Sequence, residues 1–372
     1  MAAWSFAKIA AGIFDLLSVP VYWNDVYANW HMRAKAFFVT HSLLLELPHG
    51  DPFYFGGRVA SYPLGLTLTK VWLAMVAGGL APSRVEGWSE VAVNSLHVVL
   101  FLAFLMLFFF ALLRSVRPFC ALLGTFFLIS LPLLLLHSSS AYSDIPMAAA
   151  LFGTLHCFYQ WMREEDKARA RSWLLLFAAS SAAMLFMKSE AMVLFLPPLA
   201  LLFVWTACRK EASRAAALRT IGLFAGIVAL LAFPWLVFKT VLHLDFGNQL
   251  SISNLTIALH SEVPSAMFHA LVYTGSFLLL FPAYVLLLTL TVRLPRRDPL
   301  GILLLFLFLV FGLEFLMYTF TDIAIEAARQ TAFSRSVLHL VPGVVFTGMV
   351  LLEELFGKES TYKRSIPQSD GS

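Results

Sequence analysis

Charge is scarce in this chain: Asp, Glu, Lys and Arg together make up 13 % of its 372 residues, about half the share found in an average soluble domain. Cysteine is scarcer. Cys120, Cys157 and Cys208 lie in or beside apolar runs and form no CxxC pair, which excludes a disulfide framework and a cysteine-based zinc site. There is no Walker loop, no GxGxxG ahead of a soluble helix and no GxSxG, so ATP-driven transport and serine hydrolysis lack their usual residues. The histidines, among them His41, His137, His156 and His339, show no HxxxH-like spacing, and no metal ion is expected.

What remains is apolar. Hydrophobic residues reach 60 % with 35 phenylalanines, and the mean hydropathy is +0.80. Apolar runs of about twenty residues recur, the length that crosses a hydrocarbon core of about 30 Å. The expected fold is all-α, a polytopic transmembrane helical bundle of about ten spans. A short first helix in MAAWSFAKIAAGIFDLLSVP, interrupted by Asp15 and without a cleavage-site run of small residues, is followed by spans near Val91 to Leu113, Phe119 to Leu136, Ile145 to Trp161, Trp173 to Met187 and Met192 to Cys208. Four more run near Ile221 to Thr240, Met267 to Thr291, Leu300 to Phe320 and Val337 to Leu355. This membrane domain is expected to fill residues 1–356, with a disordered cytoplasmic tail over residues 357–372.

The segment Pro63 to Leu80 decides which side each loop faces. If it does not cross, more than half of the 26 lysines and arginines fall in loops on one side, around Arg114, Arg163 to Ser172, Arg209 to Arg219, Arg293 to Pro299 and the tail. That side is cytoplasmic by the positive-inside rule. If it crosses, the basic loops face outward. The segment is therefore expected to lie in the outer interface, with Lys70 and Trp72 marking that position. The net charge of +4 follows from these topology-setting loops and does not indicate a nucleic-acid partner.

This topology gathers the unusual polar groups on the outer side. Asp25, flanked by Trp23, Tyr27 and Trp30, can act as a general base or cation anchor, and can equally cap the helix from Val26 to Phe38. His31, Arg33 and Lys35 form a basic cluster after it, suited to a phosphate ester or to lipid head groups. Asp144 precedes Pro146 as a helix cap would, at a position that also aims a carboxylate into the outer loops. Lys188 and Glu190 interrupt an apolar run, a costly arrangement unless they pair internally, face a wet cavity or sit in a solvated hairpin. Arg335 stands just before the last span, as an interfacial anchor or a phosphate ligand.

These stretches resemble the GT-C class of membrane glycosyltransferases, in the bacterial branch of protein O-mannosyltransferases and lipid A aminoarabinose transferases. WNDVYANWHMRAKAFF followed by YPLGLTL is similar to the first-loop signature, AYSDIPMAAALF to the second acidic loop, FMKSEAMVLFLP to a lysine-containing loop and SRSVLHLVPG to a late arginine segment. Asp25 is followed by Val26 where many members carry glutamate.

The resemblance implies interfacial helices within a large first outer loop. It also implies transfer of a hexose or pentose from a polyprenyl-phosphate donor to an acceptor glycan, lipid or protein, inverting and without a metal or other cofactor. The reaction would take place on the periplasmic face of a bacterial inner membrane. Asp25 and Asp144 would be the catalytic acids, and Arg33, Lys35, Lys188 and Arg335 the donor-phosphate ligands. Trp23, Tyr27, Trp30, His31, Tyr62, Tyr142 and Glu190 would line the substrate pocket. A lipid-linked sugar flippase or small-solute transporter is the alternative, against which stand the charges concentrated in loops and the lack of a visible inverted repeat.

Overall fold

The structure is a computed structural model and describes residues 2–21, 26–43, 61–78, 87–244, 257–292, 298–329 and 332–364. Described residues are overwhelmingly helical, and their one β-bridge pairs Ile257 with Thr321. In chain order the helices are α1 (Ala2–Ser18), α2 (Met32–Thr40, entered by a π turn Tyr27–His31), α3 (Gly65–Ala77), α4 (Glu90–Leu113), α5 (Pro118–Ser130), α6 (Pro132–Ser138), α7 (Asp144–Arg163) and α8 (Lys167–Met187). They continue with α9 (Leu196–Lys210, entered by a π turn Ala191–Phe195), α10 (Arg214–Val241), α11 (Val263–Val272), α12 (Leu280–Leu290), α13 (Asp298–Phe320), α14 (Ala324–Ala328) and α15 (Ala332–Arg364). Residues 365–372 of the expected tail lie outside the described residues.

Among the described residues, six helices are long and apolar enough to cross a membrane, and a seventh crossing is made if α5 and α6, bent by 73° at Pro132, count as one span. This is an all-α, multi-pass membrane protein. Three of the expected spans differ. The first helix has 17 residues, α7 is long enough but carries Asp144, His156, Gln160 and Arg163, and the stretch Met267 to Thr291 is two short helices. That last break has a local cause. Gly275 and Leu278 adopt positive φ of 77° and 52°, which helical backbone cannot include.

α3 has 13 residues, about 20 Å at 1.5 Å per residue, too short to cross. It falls within Pro63 to Leu80, the segment expected to lie in the outer interface. Its side chains are arranged differently from the expectation: Trp72 is exposed, but Lys70 is fully buried. Gly65 lets α3 sit against the end of α8, because a Cβ there would fall 2.5 Å from the Phe186 carbonyl oxygen. The first-loop helix is thereby fixed beside the segment that delivers Lys188.

The core is one large apolar cluster centred on α7, which packs on α8, α15 and α4. Phe158, Phe177, Phe203 and Phe224 stack across α7, α8, α9 and α10 with centroids 4.5–5.4 Å apart for the pairs Phe203–Phe224, Phe177–Phe224, Phe158–Phe177 and Phe177–Phe203. Such rings supply much of the packing that holds helices together where lipid removes the hydrophobic drive. At the basic end of α7, Lys210 donates to the carbonyls of Trp161 and Glu164 and satisfies a helix terminus. The opposite end of α7 holds the polar residues that matter next.

Candidate active site

Asp144 is the first residue of α7 and has no exposed surface. The chain reaches it through a tight turn after α6 in which Ala141, itself buried, takes φ +54°. Left-handed backbone costs a non-glycine residue about 1 kcal/mol or more, strain typical of segments that aim a functional side chain. The capping alternative is not realised. Ser143 makes no side-chain cap bond, and the Asp144 oxygens are taken up by side chains from elsewhere in the chain.

Lys188 Nζ donates to Asp144 Oδ1 at 3.0 Å, and His339 Nε2 also lies 3.0 Å from that oxygen. On the other oxygen, Oδ2, Arg335 places Nε at 3.3 Å and a terminal N–H group at 3.2 Å. His137 Nδ1 approaches Oδ2 to 3.1 Å without hydrogen-bond alignment, an electrostatic contact. The partners come from three separate segments of the bundle. His137 ends α6, Lys188 is the extended residue between α8 and the π turn, and Arg335 and His339 are one turn apart on α15. The Arg335 guanidinium also stacks 4.7 Å from the Tyr142 ring, which lies 4.6 Å from that of His137. These segments are the ones that the basic-loop count expects on the outer side.

Burying a carboxylate without partners is prohibitive, and breaking a buried pair costs about 3–5 kcal/mol. Four groups on one carboxylate keep the cluster charged and rigid. Glu190 adds a second acid, with Oε1 3.3 Å from Lys188 Nζ. Burial alone would push the Glu190 carboxyl up, but Lys188 and then His339 hold it below the ordinary glutamate range. Two anions and two cations are thus collected in a small, nearly dry volume.

The first-loop residues form a second polar group. Arg33 is buried and donates to the Tyr62 carbonyl at 2.9 Å; burial lowers its guanidinium to about 10. Trp30 sets its ring edge-on to Tyr62 with centroids 5.7 Å apart. His31 is buried against Trp88 and 3.4 Å from Glu90, and burial, then Lys70 and Lys35, lower its pKa to about 3. Lys70 Nζ has no hydrogen-bond partner among the described residues; burial lowers it to about 7, with Glu90 pulling the other way.

Of the residues picked from sequence, the structure brings together Asp144, Lys188, Glu190, Arg335 and Tyr142, and separately Trp30, His31, Arg33 and Tyr62. Lys35 is half-buried and Tyr27 is exposed. Trp23 and Asp25 lie outside the described residues. Sequence reasoning missed the roles of His137 and His339, which no local spacing reveals, and it missed Glu314. This residue is fully buried in α13 and accepts a 2.6 Å bond from Ser336, next to Arg335. A lone acid inside an apolar run was the available signal.

With this geometry in place, three comparisons bear on what the chain is. Residues 78–248, just under half the chain, match the family model described as dolichyl-phosphate-mannose-protein mannosyltransferase. No curated protein sequence matches significantly. Among solved structures, ArnT from Cupriavidus metallidurans bound to undecaprenyl phosphate superposes with a TM-score of 0.60 at 16 % identity, over 97 % of this chain and 63 % of that one. The apo form of the same protein gives 0.61 at 15 % identity, over 97 % and 62 %. The chain thus spans a little under two thirds of the length of these structures. It has a GT-C membrane glycosyltransferase fold and resembles the branch of protein O-mannosyltransferases and lipid A aminoarabinose transferases.

Proposed function

We propose that the chain is a membrane glycosyltransferase that moves a sugar from a polyprenyl-phosphate donor to an acceptor hydroxyl or amine on a glycan, lipid or protein. The observation that carries this reading is the buried Asp144 cluster, in which Lys188 and Arg335 arrive from distant loops and are held in fixed positions. The resemblance to the mannosyltransferase family model, and the undecaprenyl phosphate bound by the ArnT structure, support the same donor class.

The chemistry needs such cations. As the bond between the anomeric carbon and the phosphate oxygen breaks, negative charge grows on a phosphate monoester. Fixed positive groups in a site poor in water stabilise that charge without reorganising. Asp144 has both oxygens engaged, so its part is to hold Lys188 and Arg335 in place. Asp25 takes the proton from the acceptor as its oxygen or nitrogen attacks the anomeric carbon from the opposite face, which inverts the configuration. Polyprenyl phosphate then leaves. Lys188 and Arg335 balance its charge, and the reaction proceeds without a metal ion. Arg33 and Lys35, at the first-loop helix, stand where the lipid phosphate enters. The site faces the periplasmic side of a bacterial inner membrane, the side opposite the basic loops.

The test is the full-length protein in lipid nanodiscs with a panel of polyprenyl-phosphate hexoses and pentoses, scored for released polyprenyl phosphate. Release that survives EDTA and is lost on Asp25→Asn is the expected result. Sugar-lipid moved across the bilayer without release would instead indicate a flippase.

A further inference from the structure

Around the Asp144 cluster both oxygens of Asp144 are occupied, but two other acidic side chains each keep one oxygen without a partner among the described residues. Glu190 spends Oε1 on Lys188, and its buried Oε2 has no hydrogen-bond partner. Glu314 spends Oε1 on the Ser336 hydroxyl, and its buried Oε2 likewise has none. The two acids belong to packed elements, since α13 packs on the π turn that begins directly after Glu190 and on α15, which carries Ser336. Ser189 and Thr319 add hydroxyl oxygens that are also buried and unpartnered.

Leaving one buried acceptor unpaired costs about 1–3 kcal/mol, more when it is charged. Two on elements that pack together beside a cation cluster, in a chain with few acids, point to an occupant that brings hydrogen-bond donors. The position limits what that occupant is. Glu190 pairs with Lys188 through Oε1, and Glu314 bonds Ser336, the residue after Arg335, so both acids are anchored to the segments that carry the cations which would take the donor phosphate. A group attached directly to that phosphate reaches them first, and in a lipid-linked donor that group is the sugar.

We propose that Glu190 and Glu314 bind hydroxyl groups of the donor sugar and set which sugar the protein accepts. This rests on the reading of the site as one for a polyprenyl-phosphate sugar. The carboxylates do not take part in bond making or breaking. They orient the ring so that its anomeric carbon faces the acceptor, and they discriminate against a sugar that lacks the hydroxyl they hold. Sites built to bond a substrate hydroxyl are among the more selective known, because the analogue leaves a buried group unpaired.

The test compares affinities, so it does not depend on turnover. Bare polyprenyl phosphate, polyprenyl-phosphate pentoses and hexoses, and deoxy analogues of the best binder are titrated against wild type, Glu314→Gln and Glu190→Gln. The full-length protein is used, and each variant is first shown to be folded by its melting curve. In wild type the glycosylated lipid is expected to bind about tenfold or more tighter than bare polyprenyl phosphate, a difference of about 1.4 kcal/mol. In either variant that ratio is expected to fall towards one while the affinity for bare polyprenyl phosphate stays within about twofold, and one deoxy analogue is expected to reproduce the loss in wild type. Parallel loss for bare and glycosylated lipid, or an unchanged ratio, overturns the proposal. An amino sugar favoured over every neutral sugar contradicts hydroxyl recognition and assigns the pair to an ammonium group. Sugar selectivity without transfer would overturn the glycosyltransferase reading and leave this one standing.

Discussion

Asp144 and Lys70 are equally buried, yet one is contacted by four polar side chains and the other meets no acceptor among the described residues. The carboxylate is held by Lys188, Arg335, His339 and His137, drawn from three other chain segments. The amine is enclosed by α3, the first-loop π turn and the start of α4, with His31, His97 and Glu90 as its titratable neighbours. Two ways of burying charge are thereby set side by side. Around Asp144, opposite charges are brought together and fixed, which suits a site that must receive a third ionic group without rearranging. Around Lys70 the penalty is met by weakening the hold on the proton, which needs no partner and gives no rigidity.

The largest expected effect lies in the Asp144 cluster. Lys188→Met leaves the carboxylate short of a cation and should destabilise the protein by about 3–5 kcal/mol, as should Asp144→Leu. The double variant should be less destabilised than the sum of the two, because it buries no uncompensated charge. Thermal unfolding of the three in detergent measures this coupling. An additive result would mean that the pairing seen around Asp144 contributes nothing.

The Lys70 region should behave in the opposite sense. Unfolded, Lys70 keeps the ordinary lysine pKa of 10.5, whereas folded it is lowered to about 7. Between those values the unfolded chain holds a proton that the folded chain has released, so stability rises with pH across that window. The burial penalty is present in full below about pH 7. Lys70→Met should therefore raise stability, by about 1–3 kcal/mol at pH 6, with the gain shrinking as the pH approaches 10. Glu90→Gln, at a carboxylate one-third exposed, should change stability by less than about 1 kcal/mol. Melting temperatures at pH 6 and pH 9 check both. A lysine variant that destabilises at either pH would break the contrast between the two regions.

The two regions were not equally legible in the sequence. Asp144, Lys188, Glu190 and Arg335 stand out because each interrupts or borders an apolar run, where a charge is too costly to be incidental. The basic-loop count then placed them on one side, and the structure brings them into contact. His137 and His339 carried no such mark, since a histidine among apolar residues is common and their convergence depends on loops 195 residues apart for the Asp144–His339 pair. Glu314 was legible by the same rule that picked Lys188, but it lies inside a helix that otherwise reads as a simple span. Lys70 misled for a related reason. In an amphipathic-looking segment a lysine beside Trp72 marks a membrane surface, and only the packing of α3 against α2 and α4 turns that face inward. The helix break at Gly275 was hidden because the short Thr274–Ser276 turn sits inside a longer apolar run.

The central claim is that the cations held by Asp144 receive the phosphate of a lipid-linked donor, and binding of bare polyprenyl phosphate to the full-length protein tests it most directly. Wild type is compared with Arg335→Gln, whose native side chain is the more exposed of the two cations, and with Lys70→Met as the variant from the other region. Arg335→Gln is expected to weaken binding by about tenfold or more, the size of one lost charge-assisted contact, and Lys70→Met to leave it within about twofold. Unchanged affinity in a folded Arg335→Gln protein, or an equal loss in Lys70→Met, would contradict it.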